Sequence, residues 1–225
     1  MGRLAVVLGS NGLGPGGEDV AATATSNGAA VLQRHDEGGV YTLPHRIDHV
    51  ANLERLAADG CDRVLAIASV GSLRADLGVG SFVCPHDFIA LHLGLTALDD
   101  ASAHRVPGFD AAWRARVLDS WGAAGAAELH DGGVYWQTIG PRFETPAEIA
   151  LIGAHADLVG MTIASECVVA GELGIAYTAV CLVDNLANGI DPNALSVEAM
   201  EAQRALNVVR LRDALDAVLP ALVDG

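Results

Sequence analysis

The sequence predicts an α/β fold, with one domain over residues 1–225 and a central mixed β-sheet flanked by helices. Short apolar runs of strand length alternate with segments of helical periodicity. A chain of 225 residues, of which 51% are hydrophobic, is long enough to bury one complete core. Strands separated by helices favour a mostly parallel or mixed sheet over an all-β arrangement.

Seven apolar segments have the length and composition of strands. In chain order the predicted strands are Leu4–Leu8, Ala29–Gln33, Arg63–Ala68, Ser81–Ile89, Val134–Ile139, Ala156–Val159 and Ile175–Val183. Five segments between or after them have helical periodicity. The predicted helices are Ile47–Ala58, Ala111–Ala123, Pro146–Gly153, Ala164–Leu173 and Val197–Leu219.

Two segments are predicted to be loops because they are rich in small residues and have no clear period. They are Gly14–Asn27 and Leu95–Gly108. Because loops commonly carry function, the second segment is a candidate lid or subunit contact.

The charge and cysteine content exclude several classes of function. The formal net charge is −15 and the sequence contains no basic cluster, so nucleic acid and anionic membrane surfaces are poor partners. No apolar run is long enough to span a bilayer. The four cysteines are scattered without a CxxC pair, which predicts neither a zinc site nor a disulfide framework. Reduced thiols favour a cytoplasmic protein.

Three strand ends carry groups suited to an anion such as phosphate. Ser10 and Asn11 lie in a glycine-rich turn after the first strand, where backbone amides can face an anion. Arg34 and His35 end the second strand and offer two donors. Ser69 begins a run of small residues that lets a ligand lie against the backbone. Each has a plain alternative: a tight turn, an Arg paired with a carboxylate, or a strand-to-loop turn.

The stretch from Gly133 to Gly189 carries most of the other candidate chemistry. Gly-Pro-Arg-Phe-Glu-Thr follows a predicted strand and leaves Phe143 and Glu144 together at its end. Further on, Met161 follows a short apolar segment, and Asn185 follows the last predicted strand. Glu144 and Asn185 suit hydrogen bonds to a heterocycle, and Phe143 suits stacking on it. The structural alternative is core packing for Phe143 and Met161 and a turn role for Asn185. Strand ends at one sheet edge predict a shared crevice.

Motifs spread over most of the chain resemble the purine nucleoside phosphorylase and 5'-methylthioadenosine phosphorylase family, in its trimeric branch. The motifs are Gly9-Ser10-Asn11-Gly12-Leu13, Arg34-His35, Pro44-His45, Ala51-Asn52-Leu53, Gly71-Ser72-Leu73-Arg74, Pro85 with Asp87, Gly133-Val134-Tyr135, Gly140-Pro141-Arg142-Phe143-Glu144-Thr145, Ala156-Asp157, Gly160-Met161-Thr162 and Val183 to Gly189. The resemblance implies a nucleoside phosphorylase fold and a pentosyltransferase activity. The expected reaction converts a purine nucleoside and phosphate into free base and ribose 1-phosphate.

The resemblance also implies roles for particular residues, with phosphate as co-substrate and no metal or organic cofactor. Asn185, Arg34 and His35 are the expected catalytic residues. The expected phosphate ligands are Ser10, Asn11, Arg34, His35, Ser69 through its amide, and Thr162. Phe143, Glu144 and Asn185 are expected to bind the base, and Tyr135, Met161 and Val197 the ribose.

Two positions predict the choice of base. Glu144 together with Asn185 is the combination that resembles 6-oxopurine enzymes, because a carboxylate accepts the N1–H that hypoxanthine and guanine have and adenine lacks. On the 5' side the chain has no His beyond His155, and residues 194–197 read Ala-Leu-Ser-Val. That apolar segment favours a 5'-methylthio or 5'-deoxy sugar, so methylthioinosine is a candidate substrate.

Two departures from the family pattern leave other functions open. Asn11 stands where the phosphate loop of the family usually has Ser or Thr, and the segments after Leu13 and after Asp87 are short. The family implies a homo-oligomer, a trimer or a hexamer, to which those segments normally contribute. Three hypotheses follow: a phosphorylase for 6-oxopurine or methylthioadenosine-type nucleosides, a phosphate-independent nucleosidase, and a non-catalytic nucleoside-binding protein.

Overall fold

A computed structural model describes residues 2–12, 16–37, 39–190 and 197–224. Strands and helices alternate along the chain, as the sequence predicts. The strands are β1 (Arg3–Leu8), β2 (Ala30–Gln33), β3 (Asp36–Glu37), β4 (Val40–Tyr41), β5 (Cys61–Ser72), β6 (Phe82–Cys84), β7 (Asp87–Ile89), β8 (Leu129–Asp131), β9 (Val134–Gln137), β10 (Leu158–Gly160) and β11 (Ala176–Leu186). The helices are α1 (Gly17–Ser26), α2 (His49–Ala58), α3 (Ala111–Ala123), α4 (Pro146–Ile152), α5 (Ile163–Glu172) and α6 (Val197–Val223).

Nine of these strands form one mixed sheet, and β3 and β4 form a separate small hairpin. The two long strands β5 and β11 run parallel at the centre of the sheet. Their side chains are buried along most of their length, which fits strands covered by helices on both faces. The prediction of an α/β fold with a mixed sheet between helices is confirmed.

The helices cover the two faces of the sheet and form two main hydrophobic clusters. On one face α2 and α5 pack together, with Leu53 and Ile163 among their buried side chains. On the other face α6 packs against α1 and α3, with Trp113 and Leu211 in its cluster. A smaller cluster lies under α4. The rigid sheet between these layers therefore fixes the positions of the strand ends.

One edge of β5 changes partner partway along the strand. The parallel pairing with β1 extends to Ile67, and the antiparallel pairing with β10 begins only at Gly71. The three residues between them have no strand partner on this edge within the described chain. The change of partner opens the sheet at its centre, where a ligand can approach the backbone of β5.

The predicted loop at Gly14–Asn27 is wrong, because α1 occupies Gly17–Ser26. Gly17, Val20 and Ala24 are buried at helical spacing against α6. Small residues and threonines make this stretch resemble a loop in composition, but small side chains also permit close helix packing. The second predicted loop, 95–108, contains only a short 3-10 turn, at Ala101–Ala103.

Most other differences concern where elements end. The predicted strand Ser81–Ile89 is two strands, β6 and β7, separated at Pro85. The central strands β5 and β11 both extend several residues beyond their predicted ends, through Ser72 and Leu186. The short strand β8 and the β3–β4 hairpin have no counterpart in the prediction. None of the described helices has the length and apolarity needed to cross a membrane.

Candidate active site

A crevice of about 390 Å³ opens where β5 changes partner from β1 to β10. It is lined by the ends of β1, β2, β5, β10 and β11 and by the loop before α4. The predicted site residues that line it are Ser10, Arg34, His35, Ser69, Phe143, Glu144, Met161, Thr162 and Asn185. The structure thus brings nine predicted residues from distant parts of the chain to one place.

Arg34 is buried at the inner end of the crevice in a bidentate ion pair with Glu166 of α5. Its Nε lies 2.5 Å from Glu166 Oε1 and its Nη2 lies 3.0 Å from Oε2, while Nη1 donates to the Ile67 carbonyl. Tyr177 also donates to Glu166. Burial opposes the charge on Arg34, but Glu166 together with Tyr177 and Tyr135 outweighs burial and raises the pKa of the guanidinium. The alternative of an Arg paired with a carboxylate therefore describes this residue, although Arg34 still lines the crevice.

His35 is neutral in the folded protein at neutral pH. Burial lowers its pKa to about 4, and the hydrogen bond to the Thr42 carbonyl offsets this only in part. Nδ1 lies 2.9 Å from that carbonyl oxygen. Because a carbonyl only accepts, Nδ1 carries the proton and Nε2 of the neutral ring is an acceptor. His35 also stacks on Tyr41, which lines the same crevice.

Ser69 lies in the gap on β5 and presents its backbone to the crevice. Backbone groups alternate in direction along a strand, and the Ile67 carbonyl points to the β1 edge, where it accepts from Gly9. The backbone groups of Ser69 therefore point to the same edge, beyond the end of the β1 pairing. This direction fits the predicted role of the Ser69 amide as a donor to an anion.

The side chain of Ser69 has a different partner. Its hydroxyl donates to the carboxylate of Asp184, a buried residue that also lines the crevice. Asp184 in addition accepts from Asn207 Nδ2 of α6 at 2.6 Å. The carboxylate is thereby connected both to the central strand and to the C-terminal helix.

The N-terminus of α5 faces the crevice through Thr162, its N-cap residue. The Thr162 hydroxyl makes no capping hydrogen bond, and the aligned amides at a helix N-terminus favour an anion nearby. Ser10 also lines the crevice, in a short 3-10 turn after β1. The side chain of Asn11 lies outside the described part of the chain.

Glu144 lies at the outer end of the crevice and is held by two hydrogen bonds. The Thr138 hydroxyl donates to its Oε1 at 2.7 Å, and the Asn188 side-chain amide donates to its backbone carbonyl at 2.7 Å. Phe143 beside it is 55% exposed, so its ring is open to a ligand rather than packed in the core. The core-packing alternative for Phe143 is therefore wrong.

Asn185 lines the crevice near the end of β11. Its Nδ2 donates to the carbonyl of the next residue, Leu186, at 3.0 Å. The amide lies close to β5, because a Cβ added at Gly71 would be 3.4 Å from Nδ2. A ligand can compete for this hydrogen bond, since the acceptor is a neighbouring carbonyl and not a charged group.

Met161 lines the crevice below the loop that carries Phe143. A Cβ at Gly140 would lie 2.5 Å from the Met161 sulfur, and Gly140 has a φ of 66°. Both the close approach and the left-handed conformation require glycine at this position. The Gly-Pro-Arg-Phe-Glu-Thr motif thus lies directly against the Gly-Met-Thr motif.

Tyr135 is not among the residues that line the crevice, so its predicted contact with a ribose finds no support in this geometry and stays a prediction. The side chain is fully buried between β9 and α5, and its hydroxyl accepts from the Thr162 amide at 3.2 Å. Gly160 permits this packing, since a Cβ there would lie 2.5 Å from the Tyr135 hydroxyl oxygen. Tyr135 therefore supports Thr162 from behind. The side chain of Val197 lies outside the described residues.

Several residues that line or support the crevice were missed from the sequence. Glu166 is a single carboxylate in an apolar helix, Thr138 lies within the predicted strand Val134–Ile139, and Asn188 reads as an ordinary turn residue. Asp184 stands next to Asn185, and strict strand alternation would have turned it away from the crevice. Across residues 2–12, 16–37, 39–190 and 197–224 no His, Cys, Asp and Glu cluster could hold a metal ion. All four cysteines are buried free thiols.

The family model of the phosphorylase superfamily matches residues 6–220 of the chain. A probable 6-oxopurine nucleoside phosphorylase from Archaeoglobus fulgidus is 43% identical over 161 residues, which cover 72% of this chain and 66% of that protein. A probable S-methyl-5'-thioinosine phosphorylase from Methanothermobacter thermautotrophicus is 36% identical over 172 residues, covering 75% and 60%. The chain thus spans less than two thirds of the length of either relative.

The fold is also similar to solved structures. A methylthioadenosine phosphorylase from Schistosoma mansoni, in complex with adenine, superposes with a TM-score of 0.80 at 20% identity. The superposition covers 100% of this chain and 93% of that one. At this level of identity the likeness establishes the fold alone.

Proposed function

Since this chain belongs to the phosphorylase superfamily, we propose that its crevice catalyses the phosphorolysis of a 6-oxopurine nucleoside. The products are the free base and a ribose 1-phosphate. Relatives named as 6-oxopurine nucleoside and methylthioinosine phosphorylases support this reaction class. The assignment of individual residues rests on the geometry of the crevice.

One observation carries the proposal: two sets of groups with different chemistry line a single crevice. Glu144, Phe143 and Asn185 form the base side, and Ser10, Ser69 and Thr162 belong to the other side with Arg34 and His35. A nucleoside needs both sets at once, because the base leaves from one face of the sugar and the nucleophile arrives at the other. Met161 lines the same crevice, and we propose that it contacts the ribose.

The chemistry places different demands on the two sides. Positive charge develops on the ribose as the glycosidic bond breaks, and a phosphate held at the anomeric carbon stabilises and then captures it. Negative charge develops on the purine, and Asn185 donates to N7 once it leaves the Leu186 carbonyl. Glu144, already oriented by Thr138, accepts from N1 of the base.

The base and the sugar are proposed on separate grounds. A carboxylate at Glu144 pairs with the N1–H of hypoxanthine or guanine and would face a lone pair on adenine. Tyr41, Leu43 and Pro44 bring apolar surface to the crevice, which suits a 5'-methylthio or 5'-deoxy group. Methylthioinosine is therefore the proposed substrate alongside inosine and guanosine.

A nucleosidase that uses water is the second candidate, because Glu166 already neutralises the charge of Arg34. Asn11 stands where the phosphate loop of the family usually has Ser or Thr, which also favours a nucleosidase. We favour phosphate since the Thr162 end of α5 and the Ser69 backbone both offer an anion neutral donors.

The wider properties follow from the proposed reaction. We propose one domain over residues 1–225, with no metal or organic cofactor and with phosphate as co-substrate. A homo-oligomer, a trimer or a hexamer, would cover apolar side chains at the mouth of the crevice. Tyr41, Leu43 and Phe143 there are 56%, 38% and 55% exposed. We also propose a cytoplasmic location, in line with four reduced cysteines.

The test is release of base from inosine, guanosine, adenosine and their 5'-methylthio counterparts, each with and without phosphate. We expect release that requires phosphate and favours the 6-oxopurines. Release at the same rate without phosphate would instead identify a nucleosidase. Tight binding with no release under either condition would leave a binding protein.

The Glu144→Ala variant sharpens this test. We expect it to reduce the preference for inosine over adenosine by about tenfold or more, since a charged hydrogen bond is lost. Glu54→Ala, on the exposed face of α2, removes the same side chain outside the crevice and serves as the control. An unchanged preference in Glu144→Ala would refute the assigned role of the carboxylate.

A further inference from the structure

Strand β11 contains a β-bulge directly before Asn185. Its pairing with β5 joins Val183 to Val70 and then Asn185 to Gly71, so Asp184 is the extra residue of the bulge. Side chains alternate between the faces of a regular strand, and a shift of one residue in the register moves a side chain to the other face. The bulge therefore brings Asn185 to the face of Gly71, where its amide lines the crevice. A contact that fixes the bulge also fixes the direction of Asn185.

The side chain of Asn207 on α6 holds this bulge. Its Nδ2 carries two hydrogens and lies 2.6 Å from Asp184 Oδ1 and 3.3 Å from the Val183 carbonyl oxygen. Its Oδ1 accepts from Gln203 Nε2, one turn earlier on α6, at 3.0 Å. Asn207 is fully buried, so these hydrogen bonds are protected from competition with water. One amide thus ties the bulge of β11 to α6.

The backbone of β11 has a further donor at the same point. The Gly80 amide donates to the Val183 carbonyl at 2.8 Å, and Arg210 of α6 donates to the Gly80 carbonyl at 2.6 Å. The Val183 carbonyl therefore keeps a backbone donor if Asn207 is replaced. We expect such a replacement to loosen the bulge and to leave the pairing of the strand intact.

The direction of the Asn185 side chain depends on the backbone that carries it. Its Nδ2 donates to the carbonyl of the adjacent residue, Leu186. A hydrogen bond between neighbouring residues moves with the backbone and cannot correct a displacement of it. A misplacement of 1 Å can cost on the order of 100-fold in rate, even when its cause lies away from the reacting atoms. A shift in the bulge should therefore reduce catalysis.

We propose that Asn207 is a positioning residue, which holds the β-bulge of β11 and so directs Asn185 to N7 of the departing base. The inference rests on the proposed phosphorolysis, with Asn185 as the donor to the base. Asn207 lies outside the described lining of the crevice, so it acts through the bulge and does not contact the nucleoside.

The first experiment compares Asn207→Leu with Asn27→Leu, with inosine and phosphate varied separately. Leu is similar in size to Asn but cannot donate. We expect kcat to fall about 10- to 100-fold in Asn207→Leu, with little change in the KM for phosphate. Asn27 Nδ2 also donates to a carbonyl and to a carboxylate, those of Thr23 and of Asp216 on α6. Asn27→Leu thus removes the same kinds of hydrogen bond away from the crevice, and kcat should stay unchanged.

A substrate that needs no donor at N7 separates positioning from general damage. Inosine methylated at N7 carries a positive charge on its base, so the base leaves as a neutral molecule and N7 has no lone pair to accept. We expect the ratio of kcat for inosine to kcat for this nucleoside to fall about tenfold or more in Asn207→Leu, as in Asn185→Ala. Equal losses with both substrates would show a purely structural role and overturn the inference.

A double variant gives the same decision with inosine alone, should the unmodified protein not turn over the methylated nucleoside. Residues that act as a unit have non-additive effects, so Asn207→Leu should lower kcat little further in the Asn185→Ala background. Two independent losses that multiply would contradict the inference.

A second substitution on α6 covers the case in which Asn207→Leu does not fold, as a thermal unfolding scan would show. Gln203→Leu removes the donor that orients the Asn207 amide and keeps Asn207 itself. In the same measurements we expect a selective loss with inosine in the same direction and of smaller size. An unchanged kcat in Gln203→Leu would then overturn the inference.

The outcomes separate the inference from the proposed function. If the unmodified protein releases no base with phosphate, or releases it equally well without phosphate, the proposed phosphorolysis fails and the inference with it. Full turnover in Asn185→Ala would remove the assigned donor and therefore the inference. A selective loss in Asn185→Ala without one in Asn207→Leu removes only the inference.

Discussion

The two ends of the crevice differ in how their polar groups are held. At the outer end, the side chains of Glu144 and Asn185 each make a single hydrogen bond to a neutral partner. At the inner end, Arg34 and Glu166 form a buried, bidentate ion pair joined by a tyrosine hydroxyl. The outer groups can exchange partners with a ligand. The side chains at the inner end are hydrogen-bonded to one another, so they define the shape of the site more than they bind a ligand.

This difference predicts that substitutions at the inner end affect folding, whereas those at the outer end affect catalysis. Removal of one partner from a buried ion pair leaves an uncompensated charge, and removal of a donor from a developing anion slows the reaction. The following predictions test that division, from the largest expected effect to the smallest.

Glu166→Ala should lower the free energy of unfolding by about 3–5 kcal/mol, because Arg34 would stay buried without its carboxylate. Urea denaturation measures the change. Asp76→Ala breaks an exposed ion pair with Arg74 and should change stability far less. An equal loss of stability in the two variants would show that the ion pair at the inner end contributes no more to stability than an exposed ion pair.

Asn185→Ala should lower kcat by about 100- to 1,000-fold, the usual loss for one donor to a developing anion. The KM for phosphate should change little, because phosphate binds at the inner end. Steady-state kinetics with the nucleoside and phosphate varied separately gives both values. A loss of phosphate affinity equal to the loss of turnover would contradict the division between the two ends.

Acidification should destabilise the protein through His35. Its folded pKa of about 4 lies below the ordinary value of 6.5, so the unfolded state takes up a proton first. The contribution of the neutral ring to the free energy of unfolding is therefore complete above pH 6.5. It decreases as the pH falls and is lost by about pH 4. The loss is on the order of 3 kcal/mol.

Comparison with His35→Gln isolates this contribution, because the carboxylates titrate alike in both proteins. The free energy of unfolding from urea denaturation should fall less steeply for the variant between pH 6.5 and 4. Parallel pH profiles for the two proteins would show that His35 is not held neutral by the fold.

The same division explains what could be predicted from the sequence. The outer residues Phe143 and Glu144 lie in a loop whose Gly-Pro breaks are visible in the sequence, and their exposure follows from that loop. Glu166 could not be found this way. Its partner Arg34 is 132 positions away, and only the packing of α5 against the sheet brings them together.

The prediction of secondary structure succeeded where period and composition agree. The bounds of α3 match the prediction, and the termini of most strands lie within a few residues of it. It failed at α1, where a composition of Gly, Ala and Thr hides a helix that packs closely on α6. It also could not place Asp184, since a bulge depends on the register between strands and not on local sequence.

The gap in the pairing of β5 has a consequence for hydration. The backbone groups of Ser69 point into the space between the end of β1 and the start of β10. Buried backbone donors and acceptors are almost always satisfied, so we expect water to bind these groups when no ligand is present. A ligand oxygen that enters the gap releases that water, and the entropy of the released molecules adds to the affinity. The unpaired segment of β5 thereby contributes to ligand affinity through the release of bound water.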